Sequence, residues 1–225
     1  MGIPRHVHAT TRALGFIALG ILLERVAGVP LDAVIEAEVL RPLGLADTVF
    51  LSGLDPERAA ARSAGRSFVA TRAARGEVLC GRVDDDNAWM MGGVAGHAGL
   101  FATADDVGRF AQAWLDALAG RSGWLAAEVA EAFLARDRTP GSGRALGWDT
   151  PSPAGSALGT RLGRGPRGAV GHLGFTGTSL WIDPARQLVV VLLTNRVHPS
   201  AANDKIRQLR PALHDAVVQS LGRQG

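Results

Sequence analysis

The sequence predicts an α+β fold from three observations. Apolar residues recur at helical spacing through much of the first two thirds, short Val-, Leu-, Thr- and Trp-rich runs follow Gly168, and one amphipathic helix closes the chain. At 225 residues and 47% hydrophobic composition, the chain can bury one substantial core or two small ones packed together, which excludes disorder. The expected organisation is a mainly helical region with long loops over 1–165 and an antiparallel sheet plus terminal helix over 166–225, packed as one structural unit.

From about Thr10 to Ala27, Leu14, Ile17, Ala18, Ile21 and Leu22 share one face while Phe16, Leu19, Leu23 and Val26 fill the others. This pattern predicts a buried helix. Gly28 and Pro30 stop it, and a second short helix is expected from about Asp32 to Leu40, ended by Pro42 and Gly44. The stretch from about Ser52 to Asp86 is a mixture of Arg, Ala and Gly and predicts little regular structure. Thr103 and Asp106 have the spacing of a capping box. They open a helix whose apolar face is Val107, Phe110, Ala111, Trp114 and Leu118, ended by Gly120. Another helix is expected from Ala126 to Ala135. Repeated glycine and proline between Arg138 and Arg167 predict loop.

After Gly168, strands are expected at about Ala169 to Phe175, Thr178 to Ile182 and Leu188 to Thr194. Asp183-Pro184-Ala185-Arg186 should turn the last two into a hairpin. The closing helix runs from about Asp204 to Leu221, with Ile206, Leu209, Leu213, Val217 and Leu221 on one face.

Charge narrows the function classes. The net charge is +3 and the basic residues are dispersed, so no clustered footprint for nucleic acid is present. Lys205 is the single lysine, and tyrosine is absent altogether. A lone Cys80 forbids an intrachain disulfide. The apolar run Ala13 to Leu23 is too short to span a bilayer and meets Glu24 and Arg25 at once, so neither a membrane span nor export by this segment is expected. His6 stands where a myristoylation signal would need Ser or Thr.

The strongest local signal is Gly171-His172-Leu173-Gly174-Phe175-Thr176-Gly177-Thr178 running into Ser179-Leu180-Trp181-Ile182-Asp183-Pro184. A histidine on a strand followed by glycines suits a site where substrate approaches the backbone and a peptide N–H holds an oxyanion. Spacing alone serves equally well a glycine-rich strand with a structural histidine. The run Asp84-Asp85-Asp86-Asn87 lacks the glycine and distal glutamate of a calcium loop and reads as a solvated or capping loop. His6 and His8 have no third ligand nearby, so no metal site and no cofactor is expected. His97, among glycines, is expected to pack or to bind backbone. Arg161, Arg164 and Arg167 are either exposed loop arginines or a basic lip for an anionic substrate.

The His172 motif and four further separated blocks, in the right order, resemble the β-lactamase-related serine hydrolases, a family that includes penicillin-binding carboxypeptidases, class C β-lactamases and similar esterases. His172-Leu173-Gly174 is similar to the family's third motif, K-T-G or H-x-G. Leu14 through Gly28 resembles the helix after its second motif, and Arg41-Pro42-Leu43-Gly44-Leu45-Ala46-Asp47-Thr48 its R-P-L-G-M-x-D-T turn. Gly92 through Thr103 resembles its glycine-rich helix entry, preceded by a D-x-N-A loop at Asp85 to Ala88, and Leu192-Leu193-Thr194-Asn195-Arg196 resembles the exit of its last strand.

The resemblance implies an incomplete β-lactamase/transpeptidase-like fold in which a helical region precedes a three-stranded antiparallel sheet and a C-terminal helix. It implies an acyl-enzyme cycle on an ester, amide or β-lactam, in which a serine attacks and a lysine with a tyrosine shuttles its proton. His172 would be the third-motif base or orienter and Phe175 the backbone oxyanion donor, with Gly174, Thr176 and Gly177 at the substrate. Leu173 replaces the usual hydroxyl residue.

The nucleophile's motif is missing: Ala202 stands three residues before Lys205 where S-x-x-K needs serine, and Thr11-Arg12-Ala13 occupy the place of Y-x-N. The chain is therefore expected to represent the C-terminal part of such a hydrolase and to be inactive alone. The alternative is a non-catalytic binding or assembly module that retains the fold. Either reading expects exposed apolar surface, a bare strand edge, and self-association or pairing with a complementary N-terminal segment. As the chain stands it reads as cytoplasmic, and as extracytoplasmic if such a segment carries a signal.

Overall fold

The computed structural model describes residues 12–74, 77–137, 143–151, 157–164 and 168–222. Helix α1 (Arg12–Ala27) ends where Gly28, at φ +70°, donates its N–H to the Glu24 carbonyl at 2.8 Å, the left-handed stop that glycine permits. The Glu24 carboxylate accepts the Leu31 N–H at 2.9 Å and so joins α1 to α2 (Leu31–Ile35), which widens into a π-helical turn over Glu36–Leu40.

The expected burial of α1 is corrected. Leu14 is 62% exposed, Leu22 54% and Val26 78%, because among the described residues cover is offered only on the side of Phe16, Ile17 and Gly20. No single helix among the described residues is long and apolar enough to cross a membrane.

Strand β1 (Val49–Phe50) leads into a segment more ordered than its composition suggests. Asp55 caps α3 (Pro56–Ser63) by accepting the Arg58 N–H at 2.9 Å, with Pro56 in the first turn. Arg58 then reaches Asp32 at 2.8 Å and Glu36 at 3.2 Å, and Arg62 pairs with Glu36 as well. Strands β2 (Ala70–Ala74) and β3 (Glu77–Cys80) form a hairpin. It is anchored from far along the chain, since Asn195 donates to the Ala70 carbonyl and His198 to that of Thr71. These partners are ionic or hydrogen-bonded and distant in sequence, so local apolar periodicity gives no sign of them.

Helix α4 (Asp86–Met90) and strand β4 (Leu100–Phe101), paired with β1, precede α5 (Ala104–Leu118). Thr103 caps α5 through the Asp106 N–H at 3.2 Å, as the spacing predicts. Asp106 does not complete the box. Buried, its carboxylate accepts the Asp47 N–H at 2.8 Å and the Thr48 hydroxyl at 2.9 Å, two donors that bring the Arg41 to Thr48 turn against the helix start. Helix α6 (Ala127–Leu134) packs beside α5.

The main sheet has five strands rather than the expected three, all antiparallel, in the order β5 (Arg144–Ala145), β6 (Trp148–Asp149), β7 (Val170–Leu173), β8 (Ser179–Asp183), β9 (Leu188–Leu192). The two extra strands are too short to show alternation in sequence. They turn at Gly147, φ +77°, and are cross-linked by Arg144 and Asp149 at 2.7 Å. Cross-strand pairs His172 with Leu180 and Trp181 with Val190 set the register.

Alternation along β7 and β8 sends Val170 and Ile182 into one core with Trp114, Leu115 and Trp148, under α5 and α6. Leu173, Trp181 and Val190 enter a second core with Leu213 and Val217 of α7 (Ile206–Leu221). Full burial of side chains such as Ile182 and Trp181 stabilises by roughly 2–3 kcal/mol each. The sheet is thus covered on both faces. Among the described residues, β9 has a strand on one side only.

Candidate active site

The candidate site is the end of β7 and the turn that follows. His172 shares its face with Val170 and Leu180, opposite α7. Its ring meets Phe16 of α1 edge-on, with centroids 6.3 Å apart and planes at 84°. Nδ1 lies 3.1 Å from the Leu173 carbonyl, which can only accept, so Nδ1 is the donor of that bond. Nε2 is sealed from solvent and has no hydrogen-bond partner among the described residues.

Phe16 is held there by two glycines. A Cβ on Gly96 would strike the Phe16 carbonyl, and one on Gly20 would lie 3.1 Å from the Gly96 nitrogen, so α1 and the Gly92 to Thr103 segment touch backbone to backbone. Ala13, at the place of the second motif, is one helical turn before Phe16, about 5 Å along the axis. Thr11 lies outside the described residues.

The turn from Gly174 to Thr178 is closed by the Gly174 N–H donating to the Thr178 carbonyl at 2.8 Å and the Gly177 N–H to the Gly174 carbonyl at 3.2 Å. Gly177 has φ +115°, and a Cβ there would strike the Thr194 hydroxyl, which donates to the Gly177 carbonyl at 2.7 Å. Phe175 is exposed and lies under the Arg196 guanidinium, 4.3 Å from its ring. The Phe175 N–H finds no acceptor among the described residues. Thr176 is half-buried, and its carbonyl accepts the Arg196 N–H at 2.9 Å. His172, Gly174, Phe175, Thr176 and Gly177 therefore lie together on one strand end and turn, with His172 against Phe16 of α1.

Other sequence candidates fall elsewhere. Burial alone would raise the pKa of Asp85, but the Ala88 N–H and the His97 side chain outweigh it and hold it below the ordinary carboxylate value. Asp85 thereby caps α4 and binds His97 at 2.9 Å. Arg161 and Arg164 belong to a loop fastened to α7 by Asp215, which accepts the N–H groups of Thr160 at 2.7 Å and Arg161 at 2.8 Å. That is the layer opposite His172, so the structure does not bring them to the site. Arg167, His6 and His8 lie outside the described residues. A surface concavity of about 540 Å³ is lined by residues of α3, Phe68, Cys80 and Trp89 and does not include His172.

A serine–histidine contact occurs in the second core, where the Ser179 hydroxyl lies 3.3 Å from Nε2 of His214 and His214 Nδ1 donates to the Ala157 carbonyl at 2.9 Å. Both side chains are buried, and burial depresses the His214 pKa, so this pair is a packed polar link without substrate access. Sequence reasoning missed Arg196 and Arg210, both of which reach the turn. Arg196 stood only as the end of a strand-exit block, and Arg210 has no local signal, being a helical arginine whose acceptors lie more than thirty residues away.

Comparison with known proteins gives consistent matches. The family model described as Beta-lactamase matches residues 11–213. A putative D-alanyl-D-alanine carboxypeptidase from Salmonella heidelberg is 30% identical over 210 residues, 90% of this chain and 48% of the relative. The chain thus spans about half the length of the curated relatives it matches. Among solved structures, a beta-lactamase from Mycobacterium bovis superposes with a TM-score of 0.58 at 22% identity, over 92% of this chain and 62% of that one. A mutant simvastatin synthase from Aspergillus terreus gives 0.63 at 17% identity, over 93% and 54%. The last two likenesses show the fold.

Proposed function

We propose that this chain, which belongs to the β-lactamase family, forms the third-motif side of an acyl-transfer hydrolase whose attacking serine comes from polypeptide outside this sequence. In such a cycle the serine oxygen bonds to the carbonyl carbon of an ester, amide or β-lactam, and its proton passes to a lysine and tyrosine pair. The carbonyl oxygen becomes an oxyanion, the leaving group departs with a proton, and water later releases the acyl group. His172 orients the substrate or the proton-transfer groups through Nε2. The Phe175 N–H donates to the oxyanion, and Gly174, Thr176 and Gly177 leave room for substrate along the strand.

The observation that carries this reading is the Nε2 of His172, buried and, among the described residues, unpartnered at the end of a strand that is followed by the Phe175 N–H, itself without an acceptor among those residues. A buried polar atom without a partner costs about 1–3 kcal/mol and is retained most readily where a group arrives to use it. The names of the relatives point to D-amino peptides as one substrate class. The exposed apolar side of α1 and the free edge of β9 are where a complementary segment, or a second copy of the chain, would pack.

The second reading, a binding or assembly module, is favoured by the absence of S-x-x-K and of any tyrosine in the sequence. Incubating the chain with a nitrophenyl ester, a chromogenic cephalosporin and a fluorophosphonate separates the readings when repeated with a polypeptide bearing S-x-x-K and Y-x-N. Turnover only in the mixture supports the hydrolase. A stable complex without turnover or labelling supports the module.

A further inference from the structure

Four carbonyls of the site turn are held from behind or from the side by two arginines. Arg210 of α7 is 7% exposed and donates one terminal nitrogen to the Gly174 carbonyl at 2.7 Å and the Thr178 carbonyl at 2.6 Å. Arg196 donates its Nε to the Phe175 carbonyl at 2.7 Å and its backbone N–H to the Thr176 carbonyl at 2.9 Å. The far end of Arg196 is itself fixed by the Ala201 and Asn203 carbonyls at 2.9 and 2.8 Å. Among the described residues, no carboxylate pairs with either guanidinium.

This arrangement has a consequence at one atom. The peptide joining Gly174 to Phe175 is trans, so its C=O and N–H point in opposite directions. With the carbonyl pinned toward the Arg210 guanidinium, the Phe175 N–H points away from it. A cation on a carbonyl also withdraws electron density through the amide and strengthens its N–H as a donor.

We propose that Arg210 is a positioning residue that aims and polarises the Phe175 N–H as oxyanion donor, while Arg196 secures the next peptide of the same turn. The proposal rests on the acyl-transfer reading for its purpose, but its structural content can be tested without it. The position is costly to maintain: burial, and then the adjacent charge of Arg196, both push the Arg210 pKa down.

Hydrogen–deuterium exchange of the whole chain, read by mass spectrometry, tests the clamp. In Arg210→Met, a peptide covering residues 173–179 is expected to exchange about 10-fold faster, with residues 188–193 unchanged. Unchanged exchange across 173–179 in a folded Arg210→Met overturns the proposal. If that variant exchanges fast everywhere, Arg196→Met decides in its place: faster exchange confined to 173–179 supports the clamp, and no change overturns it.

The catalytic consequence is read in the complex with an S-x-x-K polypeptide. Arg210→Lys is expected to lower kcat by about 10-fold or more while KM moves less than about 2-fold. An unaltered kcat there contradicts the aiming role. A complex inert even with wild-type Arg210, beside a turn that loosens in Arg210→Met, removes the hydrolase reading and leaves the clamp standing.

Discussion

Phe16 meets His172 edge-on at 6.3 Å, and this contact is where a largely exposed helix touches the strand of the candidate site. One side of α1 forms a wall of the site. The remainder presents leucine, isoleucine and valine to solvent, a surface that isolated chains rarely keep bare.

The exposed side of α1 is expected to drive association. Sedimentation velocity at tens of micromolar should show dimers or larger species, and Leu14→Glu with Leu22→Glu should shift them toward monomer. A wild-type chain that sediments as a stable monomer contradicts this expectation.

The α1 wall should depend on glycine at one position. Gly96→Ala places a methyl group against the Phe16 carbonyl, so α1 must move away while the five-stranded sheet keeps its own cores. Limited proteolysis is expected to cut within Arg12–Ala27 at least several-fold faster, with cleavage in β8 and β9 unchanged. Equal cleavage in both proteins would remove the role assigned to Gly96.

Asp106 is expected to matter more than a helix cap. Asp106→Ala leaves the Asp47 N–H and the Thr48 hydroxyl without their acceptor and should cost about 3 kcal/mol in urea unfolding. Asp106→Asn, which keeps one acceptor oxygen, should cost less. A loss below about 1 kcal/mol for alanine would show that water replaces the carboxylate.

His214 gives a pH dependence of known sign. Its folded-state pKa is depressed by burial, so it contributes fully above the ordinary imidazole value of about 6.5, and the contribution is lost as pH falls through the lower folded value. Asp85, Asp116 and Asp215 are lowered too, and their contributions decline only in the more acidic carboxylate range. The fall in stability just below about pH 6.5 should therefore flatten in His214→Gln. The same slope in both proteins would assign it to another group.

The α+β class, the β8 to β9 hairpin and the face of α5 were legible because each rests on local periodicity or turn chemistry. Helix α3 and the β2–β3 hairpin were not, since Arg58 and Arg62 find their acids in α2 and its π turn, and the Ala70 and Thr71 carbonyls find donors at Asn195 and His198. The burial of α1 was misread for a related reason: apolar pattern reports what a helix would bury, and the cover must come from elsewhere. At the candidate site, the motif pointed to His172 and the glycines, which the structure places on one strand end and its turn. The support from Arg210 depends on how α7 folds back beneath the turn, which no spacing in the sequence encodes.

Joining a polypeptide that bears S-x-x-K and Y-x-N ahead of Arg12, and measuring ester turnover with and without His172→Ala, addresses the central assignment directly. The joined protein is expected to label at the serine of S-x-x-K, and His172→Ala to lower kcat/KM by about 100-fold with labelling slowed in step. A folded, labelled protein whose turnover is indifferent to His172→Ala would contradict the role assigned to this strand.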